Sequence, residues 1–407
     1  MSAPTLQDLA PEGLDVTVDP YPVYAALRAQ GPVHRILVPE SGEAWLIVAR
    51  DEARAALTDP RLRNDIRFSS SWTDDGGHAI GLNMLQTDAP QHTRLRALVA
   101  REFTPGRIAA LAPRIEKLAD RLLDGLLDTV ATDGSADLVS AFALPLPLTV
   151  ICDLLGVPSA DHGDFHDWSG EIVAPTSPEA AGAAAAAMTA YFAALIEDKR
   201  ADPGSDLLSA LVAATGSRGG APGAGPAPLS AEELLGMAFL LLVAGHETTV
   251  NLISGGVLAL LTHPDQLAAL RGDPGLVDGA IEEMLRYDGP VGAAAFRFAA
   301  EAVEIGGTRI AAGDSVLVSL AAASRDPRHF PDPDRFDVRR RPAGQLGFGH
   351  GIHHCLGAPL ARTEAAAALR ALLARCPGLA LAADPARIER RPSVMLRGVR
   401  SLPVRIA

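Results

Sequence analysis

Ten residues near the C-terminal end, FGHGIHHCLG (348–357), bring His350, His353, His354 and Cys355 together. A thiol and three imidazoles at this density suit a zinc cluster, a reactive thiol, or a socket for a larger group. Zinc sites of this kind draw Cys and His pairs from two knuckles, and the sequence has no second knuckle. Cys355 precedes LGAPLARTEAAAALRALLARC, which reads as a helix start. The positive end of a helix and its free N–H groups favour thiolate at that position. Phe348, Gly349, Gly351 and Gly357 supply a tight turn, in which backbone can approach something flat and bulky. Cys152 in TVICDLLGV and Cys376 before Pro377 lack such surroundings and read as structural.

Three other spacings carry chemistry. AGHETT (244–249) stands midway along an apolar segment. Thr248 is placed to bond back to the carbonyl of Ala244, and Gly245 weakens the helix, so a local kink or opening is predicted there. A buried acid, Glu247, beside a hydroxyl does nothing for stability alone. Glu283 and Arg286, at i,i+3, share a helix face; in isolation such a pair is a surface ion pair of little value. His92 and Arg96, at i,i+4, also share a face, whereas Arg94 points elsewhere and is expected at the surface.

These residues need elements to hold them. Apolar positions at helical spacing run through 21–30, 51–59, 92–103, 114–128 and 363–376, and 180–200 has the strongest helix propensity. Ser230 followed by Glu233 is a capping-box pattern that starts a long helix over 231–261. His246, Glu247, Thr248, Thr249 and Asn251 at its middle make it a buried core helix rather than a membrane span. Strand patterns are short: 44–50, 302–320 with a Gly306-Gly307 turn, and 402–407. The chain is therefore expected to be mainly α with a small β component, as a single domain over 1–407. Its β-rich parts are expected at about 32–50, 295–320 and 385–407, with a flexible loop at 215–229. A net charge of −13 argues against nucleic acid. Three unpatterned cysteines and an N-terminus without a signal-peptide pattern suit a cytoplasmic protein without a membrane anchor.

Phe348-x-x-Gly351-x-x-x-Cys355-x-Gly357 resembles the haem-binding signature of the cytochrome P450 superfamily, and the other motifs fall in that family's order. The resemblance extends from DPYPVYAALR to SVMLRG and is greatest to soluble, single-domain bacterial members acting on macrolides, other polyketides, terpenoids or steroids. It implies the cytochrome P450 fold, with a long central helix crossing the haem and a proximal loop carrying the Cys ligand. It implies haem b as cofactor, Cys355 as axial iron ligand, and Phe348, Gly349 and Gly357 in the haem-binding loop. His92, Arg96, Arg297 and His353 match the contacts to the propionates. Ala244, Gly245, Glu247 and Thr248 match the oxygen-activation segment, where Glu247 and Thr248 are the acid–alcohol pair that delivers protons. Glu283 and Arg286 match a buried structural brace, with Arg335 of DPDRFD as its third member. His350 and His354 receive no role.

The implied reaction is monooxygenation: one oxygen atom from dioxygen enters a bulky apolar small molecule. Oxidative phenol coupling or peroxide-driven oxygenation is the alternative outcome, and a haem sensor would not need the acid–alcohol pair. By the same analogy the substrate is lined by 65–85, 168–190, 236–245, 291–296 and 393–397. The glycine-rich stretches lack the strand–turn–helix context of a flavin or nicotinamide site. Electrons are therefore expected from a ferredoxin and its ferredoxin reductase, docking on the Cys355 side. Arg94, Arg101, Arg107 and Arg362 are candidates for that basic patch. A monomer is expected.

Overall fold

Prolines and short polar side chains mark where the helices begin. The computed structural model describes residues 3–39, 41–73, 82–173, 176–215, 228–341 and 343–406. Its helices are α1 (Tyr21–Gln30), α2 (Arg50–Thr58), α3 (Gln91–Ala100), α4 (Pro105–Asp133), α5 (Pro145–Leu155), α6 (His162–Val173) and α7 (Pro178–Ala201). These are followed by α8 (Leu207–Ala213), α9 (Ala231–Thr262), α10 (Pro264–Gly272), α11 (Val277–Asp288), α12 (Leu320–Ser324) and α13 (Ala358–Arg375). Pro105, Pro145, Pro178 and Pro264 occupy first turns, where a missing N–H loses no helical bond. The predicted capping box forms: Glu233 N–H donates to Ser230 Oγ, and Ser230 N–H donates to the Glu233 carboxylate.

The β component is small. β1 (Val33–Val38), β2 (Gly42–Ile47), β3 (Leu62–Arg63), β5 (Arg297–Ala299) and β8 (Ser315–Val318) form one sheet in the order β1-β2-β8-β5-β3, in which β2 and β8 run parallel. β4 (Ala136–Asp137), β9 (Leu379–Leu381) and β10 (Pro403–Ile406) form a second. The hairpin expected within 302–320 is shorter than that stretch. Its arms are β6 (Val303–Ile305) and β7 (Thr308–Ile310), turned by Gly306 and Gly307 at φ +55° and +78°. β8 then leaves the hairpin to join the larger sheet, because Gly313 at φ +85° redirects the chain.

A helix that is apolar all round has to be enclosed. α9 is, by α5, α7, α11 and α13. The run Ala365–Ala368 is buried, so α13 can lie close to α4, α9 and α11. By length and composition both α7 and α9 could cross a membrane, but 67% of the apolar window of α9 is buried inside the protein. α7 is less enclosed, at 28%, and buries the stripe Met188, Phe192, Leu195 and Ile196. Its hydropathy comes largely from alanines, and it packs on α6, α8 and α9. Residues 216–227 of the expected loop, and 74–81 and 174–175 of the expected substrate segments, lie outside the described residues.

Candidate active site

Cys355 sits between a single 3₁₀ turn, Gly351–His353, and the start of α13. Its N–H donates to the Phe348 carbonyl at 2.9 Å, and Gly349 N–H donates to Leu346 at 2.7 Å. Gly349 and Gly351 have φ of +72° and +78°. A Cβ on Gly351 would stand 2.7 Å from the Leu57 carbonyl, so glycine lets the loop rest on the end of α2. The thiol is exposed on one side. Burial by the surrounding protein nevertheless pushes it up, against the N–H groups of Gly357 and Ala358 and the charges of Arg96 and Arg362. The helix start thus favours thiolate as expected but does not prevail alone; metal coordination is what takes a thiol's proton outright.

The three histidines do not converge. His350 Nε2 accepts from Arg54 Nε of α2 at 3.1 Å. His354 offers its backbone carbonyl to Arg96 Nη2 at 2.7 Å. His353 turns the other way, its ring 4.4 Å from that of His92 on α3. Burial, with His92, Arg297 and Arg96 nearby, pushes His353 down to about 3. The structure therefore gathers His92, Arg96, Arg297 and His353 from α3, β5 and the Cys355 loop.

Among the described residues, buried nitrogens in this group have no hydrogen-bond partner: both ring nitrogens of His92, Nε2 of His353 and Nε of Arg297. Buried donors are seldom left unpaired. Cationic and N–H groups facing one region, beside an accessible thiol, are what a dianionic, thiolate-ligated porphyrin requires. The residues present fit haem.

α9 runs as helix without interruption through 244–249. The Thr248 hydroxyl does bond to the Ala244 carbonyl, at 3.3 Å. Gly245 serves packing: a Cβ there would lie 2.7 Å from Ile151 Cγ1 of α5. Ala244 is exposed and Thr248 half-buried on a helix that is otherwise mostly enclosed, which marks this as its open face. Glu247, one residue away, lies about 100° round the helix and is buried. Its Oε2 accepts from Arg391 Nη1 at 3.2 Å, and His246 Nε2 is 3.6 Å from Oε1. Burial pushes this carboxyl up, but His246 and Arg391 outweigh it and hold it below its ordinary value.

The brace around Glu283 has a different third member from the one expected. Arg335 is exposed and contributes only its carbonyl, which accepts from Arg286 Nη2 at 3.0 Å. The third guanidinium belongs to Arg340, whose Nε is 3.2 Å from Glu283 Oε1. The Pro-rich chain turns back after Arg335, and Arg340 is the arginine brought under α11. The expected basic patch is also thinner. Arg94 pairs with Glu233, Arg107 with Glu102, and Arg362 with Glu282. A surface hollow beside the Cys355 loop gathers Arg340, Arg341, Arg362, Phe348 and His354.

Sequence reasoning missed Glu364, fully enclosed on α13 with no hydrogen-bond partner at either oxygen among the described residues. Burial pushes it up to about 8, against the Thr249 hydroxyl of α9. An acid inside RTEAAAALRALL was a readable signal. Arg391, 144 positions from Glu247, gave none.

A family model for cytochrome P450 matches residues 275–398. The chain is 54% identical to cytochrome P450 monooxygenase PikC of Streptomyces venezuelae, over 99% of this chain and 95% of that one. It is 44% identical to 6-deoxyerythronolide B hydroxylase of Saccharopolyspora erythraea, over 99% of both. Among solved structures, the tirandamycin C-bound monooxygenase TamI superposes with a TM-score of 0.89 at 44% identity, covering 97% of this chain and 99% of that one.

Proposed function

Since the chain belongs to the cytochrome P450 family and is a haem-dependent monooxygenase, we propose that it oxygenates a bulky apolar secondary metabolite of the macrolide or polyketide kind. The relatives named for such compounds support this reading, as do the small side chains of 291–295 in the expected lining. The observation that carries the haem site is the set of unpartnered buried nitrogens on His92, His353 and Arg297.

In this reading Cys355 ligates the iron of haem b, and His92, Arg96, Arg297 and His353 hold the propionates. Haem supplies the centre at which dioxygen is reduced and one oxygen atom passed to substrate. The chain's own residues do the rest. Gly349, Gly351 and Gly357 would let backbone approach the haem closely. Arg96 fixes the peptide before Cys355 through the His354 carbonyl. Thr248 holds a hydroxyl on the open face of α9, and Glu247 is the acid that resupplies it with protons. Glu283, Arg286 and Arg340 keep α11 against the Pro-rich segment below the site.

Electrons come from a ferredoxin served by a ferredoxin reductase. The hollow with Arg340, Arg341 and Arg362 on the Cys355 side is the face we assign to that donor. The protein is proposed to act as one domain, as a monomer, in the cytoplasm. The test is a spectral titration with a panel of macrolactones, terpenoids and steroids, followed by turnover with a surrogate ferredoxin and reductase. Macrolactones are expected to shift the iron spin state and gain one oxygen atom. A shift and product with steroids alone would overturn the substrate class.

A further inference from the structure

α3 carries two pairs of polar side chains on different sides of one cylinder. His92 and Arg96 belong to the donor group beside the Cys355 loop: the His92 ring lies 4.4 Å from that of His353, and Arg96 Nη2 donates to the His354 carbonyl at 2.7 Å. Gln91 and Arg94, three positions apart, reach instead to the start of α9. Successive residues lie about 100° apart round the axis, so turning one pair turns the other. The ten residues of α3 are too few to make a stable helix unaided. Leu95 and Val99 bury its inner stripe, but apolar contact is non-directional and does not fix rotation.

Glu233 supplies the direction. It is buried, and its two oxygens have separate tasks. Oε2 accepts from Ser230 N–H at 3.0 Å, which closes the capping box of α9. Oε1 accepts from Gln91 Nε2 at 2.9 Å and from Arg94 Nη2. Arg94 Nη1 also donates to the Pro228 carbonyl at 3.3 Å, in the chain that enters α9. Burial pushes the Glu233 carboxyl up, but Ser230 N–H, Gln91 and Arg94 outweigh it and hold it below its ordinary value. The carboxylate therefore stays charged for Arg94, whose side chain is itself mostly covered, at 19% exposed. A charge-assisted contact in such cover is stronger and more directional than an exposed ion pair.

We propose that Glu233 is a positioning residue for haem retention: by clamping Gln91 and Arg94 it sets the rotation of α3, and with it the aim of His92 and Arg96. The inference rests on the propionate contacts proposed for those two residues. The lever is sensitive. On a helix about 10–12 Å across, a turn of about 20° carries a side-chain tip roughly 2 Å. That is enough to take a hydrogen bond from about 2.9 Å to beyond its reach. The box that caps the long helix doubles as the fastener of the short one.

Haem loss from the ferric holoenzyme to excess apomyoglobin tests this, read beside the melting temperature of each variant. Glu233→Gln keeps a side chain able to cap α9 but takes the charge from Arg94; Arg94→Gln breaks the same contact from the other side. Ser230→Ala weakens the cap and leaves the clamp. Each clamp variant is expected to speed haem transfer roughly tenfold, the scale of one hydrogen bond to a charged group. Ser230→Ala is expected to lower the melting temperature and to keep the transfer rate within about twofold of wild type. Because the clamp acts through the donors of α3, Arg94→Gln should add less in an Arg96→Ala background than in wild type. A wild-type rate for Arg94→Gln, additive effects with Arg96→Ala, or equal acceleration by Ser230→Ala would overturn the proposal. If Arg94→Gln does not fold, Gln91→Ala takes its place with the same outcomes. An Arg96→Ala protein that keeps its haem as wild type does sinks the propionate reading of Arg96 instead. His92→Ala then replaces it in the cycle, and the Arg94→Gln rate still judges Glu233.

Discussion

Arg286 grips Glu283 with two parallel hydrogen bonds, Nε to Oε2 at 2.7 Å and Nη2 to Oε1 at 2.8 Å, and solvent reaches neither side chain. The remaining capacity is used locally. Arg286 Nη1 donates to the Pro333 carbonyl at 2.7 Å, and Asp337 N–H donates to Glu283 Oε1 at 3.0 Å. Removing one partner of such a buried pair strands the other, at about 3–5 kcal/mol. Glu283→Gln should therefore lower the unfolding free energy of the holoprotein, read from a urea titration, by about that amount. Arg340→Ala should also destabilise, whereas exposed Arg335→Ala should stay within about 0.5 kcal/mol. Equal losses for Arg335→Ala and Arg340→Ala would contradict the assignment of Arg340.

Cys355→Ser is expected to abolish the red-shifted absorbance that a thiolate-ligated ferrous haem gives with carbon monoxide. Cys152→Ser is expected to keep it, because Cys152 is enclosed and burial pushes its thiol up to about 12. A Cys355→Ser protein retaining the thiolate spectrum would refute the ligand assignment.

Thr248→Ala should bind substrate with an unchanged spectral shift and yet lose product turnover by on the order of 10²-fold, the low end of what positioned proton transfer supplies. Electrons should continue to be consumed and to leave as hydrogen peroxide. Unaltered yield of product per NADPH would remove Thr248 from the proton path.

Glu364 predicts a pH effect on stability. Its carboxyl is raised from 4.5 to about 8. Between those values the unfolded chain gives up the proton and the folded chain keeps it, so the unfolded state binds fewer protons. Stability conferred by this group is then greatest at low pH and falls as pH rises through the window, by up to about 1.4 kcal/mol per unit. Glu364→Gln removes that slope. The difference in melting temperature, variant minus wild type, should grow from about pH 5 to about pH 8; a constant difference would mean that Glu364 ionises normally.

Much of this site was legible because its signals are local. His92 and Arg96 lie one helical turn apart, Ser230 and Glu233 form their capping box within four residues, and Cys355 is framed by its glycines. What escaped depends on where the chain goes between elements. Arg335 and Arg340 are both arginines in one irregular Pro-rich stretch, and only the path of that stretch puts Arg340 on Glu283. Arg391 meets Glu247 because the C-terminal region folds back over α9, and no spacing announces that. Gly245 looked like a weak point in the helix. Its partner, Ile151, was invisible until α5 was placed, and with it the glycine became a packing notch.

The unpartnered nitrogens of His92, His353 and Arg297 also bear on how the protein comes into being. Each buried group without a partner adds about 1–3 kcal/mol to the free energy of a folded chain, against a total stability of about 5–15 kcal/mol. Taken together they are a large fraction of the margin. A group that pairs with them in the folded chain alone stabilises it by mass action, so binding and folding are linked. The same donors that would hold the cofactor thus also tie how much of the chain stays folded to how much of that group is available.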